Sequence, residues 1–597
     1  MPDIPNDVST SATVSLGGTY SGRLETNGDR DWVRINLTAG TTVQLNLDAS
    51  GNDPMSDPYM RIYDRNSNLI YSDDDSGPGF NSKLVFVADY TGPYYIEAAA
   101  YSFTDTGDYR ITAATTTIPP AGSPLASIDW GAAQADTNVT VYFVPNGETR
   151  DGYTSEGFNA FEQAQFRQAF DQIEAVSGLT FTVVNDPNAD FQLVLDTNEL
   201  LTEGDGTLAF FYPPGQGNSS GIGVFNGAAW DRIPGGDLEM GGYGYVTVVH
   251  EVLHGVGLAH PHDDGGTSTI MAGVSGPFGD YGDFNLNQGV FTVMSYNSGY
   301  STGNNNGPSG GFGYEAGPMA LDIAMLQLKY GTGGAANPGG TTYVLPDAGV
   351  TITSWQAIWD TGGNDTIAYN GRNDVTIDLR AANLSSDQGA GGYISAAAGV
   401  AGGFTIANDV VIEFAKGGSG NDTLIGNSAN NQLIGRHGAD RLFGAGGRDR
   451  LLGGDGDDTL SAGNGRDALL GGTGNDTLQG GRDADVLSGG GGRDTFVFNN
   501  FTDSRANDNG RDQINDFIRG QDQVDLSFID ANRFQAGDQE FTFIRRQIFD
   551  GDGQGQVRWE TTGSDILVSV DQNGNGSADM QIALRNVSWF DAADFIL

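Results

Sequence analysis

H-E-V-L-H-G-V-G-L-A-H-P-H, from His250 to His262, holds four of the chain's five histidines; His437 is the other. His250 and His254 are four residues apart, so a helix through them puts both imidazoles on one face. Glu251 stands beside the first. Gly257 permits a sharp turn, after which His260 can return to the same point. Three imidazoles around one position left open for water, with a carboxylate in reach of that water, is the donor set of a catalytic zinc ion. His262 lies one residue past Pro261, outside this spacing, and reads as a surface histidine.

Working outward, T-V-M-S-Y-N follows, with Met294 and Tyr296. The string H-E-x-x-H-x-x-G-x-x-H with a later methionine turn resembles the metzincins. The flanking pattern predicts α+β architecture. A strand is expected over Val139–Phe143. A helix is expected from about Glu156 to Val176, where Phe158, Phe161, Ala169, Phe170, Ile173 and Val176 fall near helical spacing and Gly178 closes it. Strands follow at L-T-F-T-V-V, F-Q-L-V-L, L-A-F-F-Y and I-G-V-F, then the histidine helix, then a helix near Met319–Tyr330. The stretch Leu208–Tyr212 is the candidate edge for pairing with an extended peptide.

The segments L-A-S-I-D-W-G, G-L-T-F, Y-V-T-V-V-H-E-V-L-H-G-V-G-L-A-H-P, T-V-M-S-Y and P-M-A-L-D-I narrow the resemblance to the serralysin family of secreted bacterial zinc proteases, over about residues 120–597. The resemblance implies zinc on His250, His254 and His260, Glu251 as the catalytic base, and Tyr296 as a group that ligates resting zinc and swings to the oxyanion during catalysis. Met294 would be a hydrophobic floor. The family usually has an aromatic after the tyrosine; here it is Asn297, which removes no catalytic group.

From Gly417 to Val497 the chain divides into nine blocks of nine residues, G-G-S-G-N-D-T-L-I first and G-G-G-G-R-D-T-F-V last. This is the G-G-x-G-x-D-x-U-x repeat of a parallel β-roll. Position eight is Leu424, Leu433, Leu442, Leu451, Leu460, Leu469, Leu478, Leu487 and Phe496, an inward apolar ladder. Position six is Asp422, Asn431, Asp440, Asp449, Asp458, Asp467, Asp476, Asp485 and Asp494. Two blocks make one coil, so these acids stack on two faces, where they repel unless calcium lies between them. Asn431 lacks the charge and Asp483 replaces a loop glycine, so sites beside those blocks should be weaker.

Short alternating runs between about residues 10 and 115, such as W-V-R-I-N-L and K-L-V-F-V, predict an antiparallel β-sandwich. G-D-R-D-W-V-R-I-N-L, Y-M-R-I-Y-D and T-G-D-Y-R-I-T resemble the bacterial pre-peptidase C-terminal domain. Asp29, Asp31 and the run Asp73, Asp74, Asp75 read as turn residues, with calcium as the alternative. A proline-bearing linker, Thr115–Pro124, follows. The expected organisation is multidomain: sandwich over 1–116, metzincin domain over 117–340, roll over 341–497, and a β-rich secretion domain over 498–597.

Composition sets outer bounds. The 597 residues exceed one core, and a net charge of −47 from 76 acidic and 29 basic residues argues against nucleic acid and anionic membranes as partners. With no cysteine there is neither a disulfide nor a cysteine-switch latency device. No run is apolar enough to span a membrane, and the N-terminal residues do not read as a signal peptide. The terminal D-F-I-L resembles the secretion signal of serralysins, so the expected partners are a type I secretion apparatus and protein or peptide substrates, with the chain a monomer outside the cell. The competing expectation is a non-enzymatic calcium-dependent surface or adhesive protein.

Overall fold

The computed structural model describes residues 4–597 except 39–40, 52, 75–80, 89, 103–104, 117–118, 121, 198–206, 304–310, 351–352, 508 and 533–538. Asp75 of the acidic run therefore lies outside the described residues. Eight strands form the N-terminal sandwich: β1 (Thr19–Leu24), β2 (Arg30–Leu37), β3 (Thr42–Ala49), β4 (Pro58–Tyr63), β5 (Leu69–Asp73), β6 (Ser82–Val87), β7 (Gly92–Ala100) and β8 (Gly107–Thr115). They pair antiparallel as β1-β8-β3-β6 and β2-β7-β4-β5. Alternation does the sorting: Val43, Leu45 and Leu47 of β3 and Tyr109, Ile111 and Ala113 of β8 are buried, and the residues between them are less so. Asp29 accepts the Glu25 and Arg30 N–H groups, and Asp31 accepts the Tyr109 hydroxyl at 2.6 Å.

The next body has β9 (Asn138–Phe143), a hairpin of β10 (Thr149–Arg150) and β11 (Tyr153–Thr154), helix α1 (Ala160–Val176), β12 (Thr180–Val183), β13 (Phe191–Asp196), β14 (Ala209–Phe211) and β15 (Ile222–Asn226). Helices α2 (Tyr243–Gly255) and α3 (Ala320–Tyr330) follow. The sheet order is β12-β9-β13-β15-β14, all parallel but for β14 at one edge. Helix α1 begins four residues later than expected. Asn159 caps it in a capping box with Glu162, and Gly157 just before has φ of +77°. Its buried face presents Phe166, Ala169, Phe170 and Ile173 to the sheet core.

The repeat region coils as expected, with partners eighteen residues apart: Leu424 against Leu442 against Leu460 on one sheet, and Leu433 against Leu451 against Leu469 on the other. The eighth-position ladder is buried throughout. The coil extends beyond the repeat at both ends. Thr342–Val344, Thr366–Ala368 and Phe414–Lys416 join one sheet before it, and Asp512–Ile514 and Met580–Leu584 join after it. The other sheet takes in Val375–Asp378, Gln523–Asp525 and Phe595–Ile596. The sheets, of twelve and nine strands, thus run through the boundary expected at Val497. The nine-residue register ends there, but backbone pairing needs only strands of the right spacing.

Leu460→Ala should destabilise the roll by about 2–5 kcal/mol. Hydrogen-exchange mass spectrometry should then show faster exchange across 441–482 and no change in the sandwich. Unchanged exchange in the roll would contradict this core.

Candidate active site

Helix α2 carries two of the imidazoles. It is apolar nearly all round, and between Gly244 and Gly255 only Thr247 and His250 are not buried, so it is enclosed by its domain. It stops because Gly257 has φ of +88° and a Cβ there would collide with the Ala132 carbonyl oxygen. Its last carbonyls are satisfied from elsewhere: Gln134 Nε2 donates to Gly255 O at 2.7 Å and the Tyr330 hydroxyl to Val256 O at 2.6 Å. The returning chain pairs with the segment before β9. Trp130 N–H donates to Gly257 O at 3.1 Å and Ala259 N–H to Ile128 O at 3.0 Å. A buried ion pair, Lys329 with Asp129, locks that segment to α3.

This route delivers His260 to the helix. Its Nε2 lies 3.1 Å from His250 Nε2 and 2.9 Å from His254 Nε2. Each ring is oriented by an acceptor at Nδ1: Val293 O for His250 at 2.8 Å, Leu258 O for His254 at 2.9 Å, and Asp263 Oδ2 for His260 at 2.7 Å. With the Nδ1 proton engaged outward, each Nε2 turns a lone pair inward. Burial holds His250 and His254 down to about 3 and His260 to about 4, so all three are neutral near pH 7. Three lone pairs this close fit one small cation.

Val293 is fixed in turn by Asp322, a buried acid in the first turn of α3. Its Oδ2 accepts the Val293 N–H at 2.7 Å and the Met319 N–H at 2.9 Å, and its Oδ1 accepts the Thr292 hydroxyl at 2.6 Å. Met294, next in line, is fully buried. Glu251 has a buried Oε2 with no hydrogen-bond partner, and burial pushes its carboxyl up to about 8. A cleft of about 360 Å³ is lined by His250, Glu251, Tyr296, Phe278 and Glu315, and by Leu208 and Ala209 at the start of β14, an edge strand among the described residues. The Tyr296 ring centroid is 4.8 Å from that of His260 and 5.7 Å from that of His250. Burial, with Glu251 and Asp263 nearby, pushes its phenol up to about 12.

His262 is not the plain surface residue expected. The turn closed by Asp263 N–H on His260 O folds its ring onto His260, at 4.9 Å and 17°, and 4.7 Å from Tyr296. Asn297 does structural work where an aromatic is usual. Its Nδ2 donates to Asp280 O at 3.0 Å and Asn287 O at 2.9 Å, and its Oδ1 accepts the Gly279 N–H at 2.7 Å. This ties the 278–280 segment to the methionine turn and sets Phe278 5.3 Å from Tyr296.

The acid ladders of the roll have the same character. Oδ1 of Asp440, Asp458, Asp476 and Asp494 on one face, and of Asp449, Asp467 and Asp485 on the other, accepts the backbone N–H of the ladder residue eighteen earlier, at 2.7–3.0 Å. Every one of these acids leaves its Oδ2 buried without a partner. Burial pushes Asp440, Asp449, Asp458 and Asp476 to about 7, Asp467 to about 6 and Asp485 to about 8. Rows of orphaned carboxylate oxygens fit calcium, which takes six to eight oxygen ligands. Asp422 and Asn431 end the ladders differently. Both Asp422 oxygens accept backbone N–H groups, from Val375 and Gly418, and Asn431 Oδ1 accepts the Asn427 N–H. At the other end Asp512 and Asp522, outside the repeat, accept from Asp485 and Asp494 at 3.0 Å each.

Two parts of the chain match known families. Residues 353–597 match the family described as Peptidase M10 serralysin C terminal, and residues 29–100 match the Bacterial pre-peptidase C-terminal domain. Metallopeptidase AprA of Pseudomonas marginalis is 30% identical over 318 residues, 50% of this chain and 61% of the relative. Serralysin C of Dickeya chrysanthemi is 33% identical over 320 residues, with the same two coverages. The chain resembles the serralysins. It covers 61% of the length of these two relatives. The serralysin C-terminal match takes in both the repeat and the strands after it, in accord with sheets that run through both.

Asp263→Ala should weaken zinc binding 10–100-fold, on the order expected for loss of a partner that orients a ligand. Competition with a chromogenic chelator measures this, and unchanged affinity would contradict the role. Calcium removal should abolish the β signal of the roll in circular dichroism, and re-addition should restore it. A spectrum indifferent to chelator would count against the ladders as cation sites.

Proposed function

We propose that this chain is a zinc-dependent endopeptidase that cleaves extended segments of protein substrates outside the cell, with calcium holding its C-terminal roll. One observation carries the reading: His260 Nε2 lies 3.1 Å from His250 Nε2 and 2.9 Å from His254 Nε2, beside an unpartnered Glu251 oxygen in an open cleft. Zinc on these imidazoles would supply Lewis acidity toward the scissile carbonyl and the attacking water. Glu251 takes the proton of that water at Oε2 and delivers it to the leaving nitrogen. A carboxyl pushed toward neutrality suits both transfers. Tyr296, whose phenol stays protonated, donates to the carbonyl oxygen as negative charge develops there. The peptide lies along β14, whose free edge offers backbone groups for strand pairing and leaves side chains to the cleft.

The names of the relatives, metallopeptidase and serralysin, support the same reading. The ladders support an extracellular workplace, because buried carboxylates in rows fold well only where calcium is plentiful. Export through a type I apparatus would let the roll stay open inside the cell and close outside. Among the described residues no helix is long and apolar enough to cross a membrane.

Glu251→Gln should lower casein hydrolysis by about 10²–10⁴-fold, the usual share of a general base, while zinc content by atomic absorption stays stoichiometric. Full activity in the variant would overturn the assignment.

A further inference from the structure

Resting on the proteolytic reading, we propose that Glu315 is a specificity residue, whose buried carboxylate selects substrate segments carrying a lysine or arginine side chain into the cleft beside the cut bond.

Glu315 is only 1% exposed, yet it borders the same cleft as His250 and Glu251. Its backbone is held on both sides. Ala316 N–H donates to Trp355 O at 2.9 Å, and Trp355 N–H to Tyr314 O at 3.0 Å. Its Oε1 accepts the Gly299 N–H at 2.7 Å. The carboxylate has room because position 289 is glycine: a Cβ there would collide with Oε1. Gly289 does not have a left-handed φ, so this glycine answers to space and not to backbone shape.

Among the described residues the carboxylate has no counter-ion within salt-bridge distance. The influences on it are burial first, then two backbone N–H groups, then a second acid, Asp322, and its carboxyl is pushed up to about 7. Among the described residues no lysine or arginine forms an ion pair with it. A buried charge is unfavourable unless it is paired. A glutamine would hold Gly299 equally well, so tethering alone does not call for an acid. The mission of a charge here is supplied by the cleft. Tyr243, Val246 and Val293 offer apolar wall for a long aliphatic stem, and Glu315 offers a charged acceptor for its head. A neutral side chain would leave the carboxylate unpaired, and an acidic one would be repelled. The net charge of −47 draws basic segments toward the whole molecule as well.

The test compares matched peptides that differ only by lysine or norleucine at each position flanking the cut bond. The zinc-loaded native protein should show kcat/KM at least about 10-fold higher for lysine at one position, the scale of a charge-assisted hydrogen bond. Glu315→Gln should bring that ratio close to one, and Glu315→Lys should invert it toward glutamate peptides. A native ratio near one, or a ratio that survives Glu315→Gln, overturns the proposal. Fluorescence-anisotropy binding of the same peptides to zinc-loaded Glu251→Gln protein separates the two readings, since it needs no turnover. A lysine preference there with no casein hydrolysis by the native protein would sink the protease and spare the Glu315 site. Equal binding of both peptides would sink the site, whatever the activity.

Discussion

Three neutral imidazoles, His250, His254 and His260, aim their Nε2 lone pairs at one point, and their Nδ1 sides are already engaged by Val293 O, Leu258 O and Asp263. Three ring nitrogens brought this close, with their outer sides engaged, are the donor set the proposed zinc site requires. The segment before β9, the Gly257 turn, the methionine turn and the start of α3 all serve this arrangement. Asp322 illustrates the economy of it: one buried carboxylate fixes Thr292, Val293 and Met319 and, through the Val293 carbonyl, orients His250. The roll repeats the theme with oxygen in place of nitrogen. There, Oδ1 atoms stitch successive coils together while Oδ2 atoms remain buried and unsatisfied. Both sites therefore offer donor atoms that suit a cation, imidazole nitrogen fitting zinc in the proposed function and carboxylate oxygen fitting calcium.

Much of this was legible in the chain itself. The histidine spacing, the glycine between the second and third ligands, and the nine-residue register are local, and local periodicity is what a sequence displays most openly. The alternation in β3 and β8 gave the sandwich for the same reason. What stayed hidden depends on the approach of distant segments. Asp322 reaches the histidine site from about thirty residues beyond the methionine turn, and Asp512 and Asp522 join the ladders without the repeat's register. Asp263 had a signal, an acid three residues after the third ligand, but an acid in a loop is too common to single out. His262 lies beyond the motif, and only the turn at Asp263, which no spacing displays, folds it back onto His260. Apolar helical spacing extends upstream to Phe158, but the capping box at Asn159 sets where α1 starts.

The cleft is lined by residues between Thr207 and Glu315 and lies close to the junction with the roll. One hydrophobic core runs without interruption from Leu125 to Phe595, so the helices of the histidine site and the coils of the roll are packed together. Glu315 stands at that junction, with its backbone bonded to Trp355 and its side chain at the cleft. Asn297 and Phe278 close the opposite approach over Tyr296.

In the proposed function His250, His254 and His260 together hold one zinc ion through Nε2. X-ray absorption at the zinc edge, on protein loaded with one equivalent, tests this most directly. Three imidazole nitrogens at about 2.0–2.1 Å with oxygen completing the shell are expected, with loss of that signature in His260→Ala. A shell of oxygens alone, or one unchanged by His260→Ala, would contradict it.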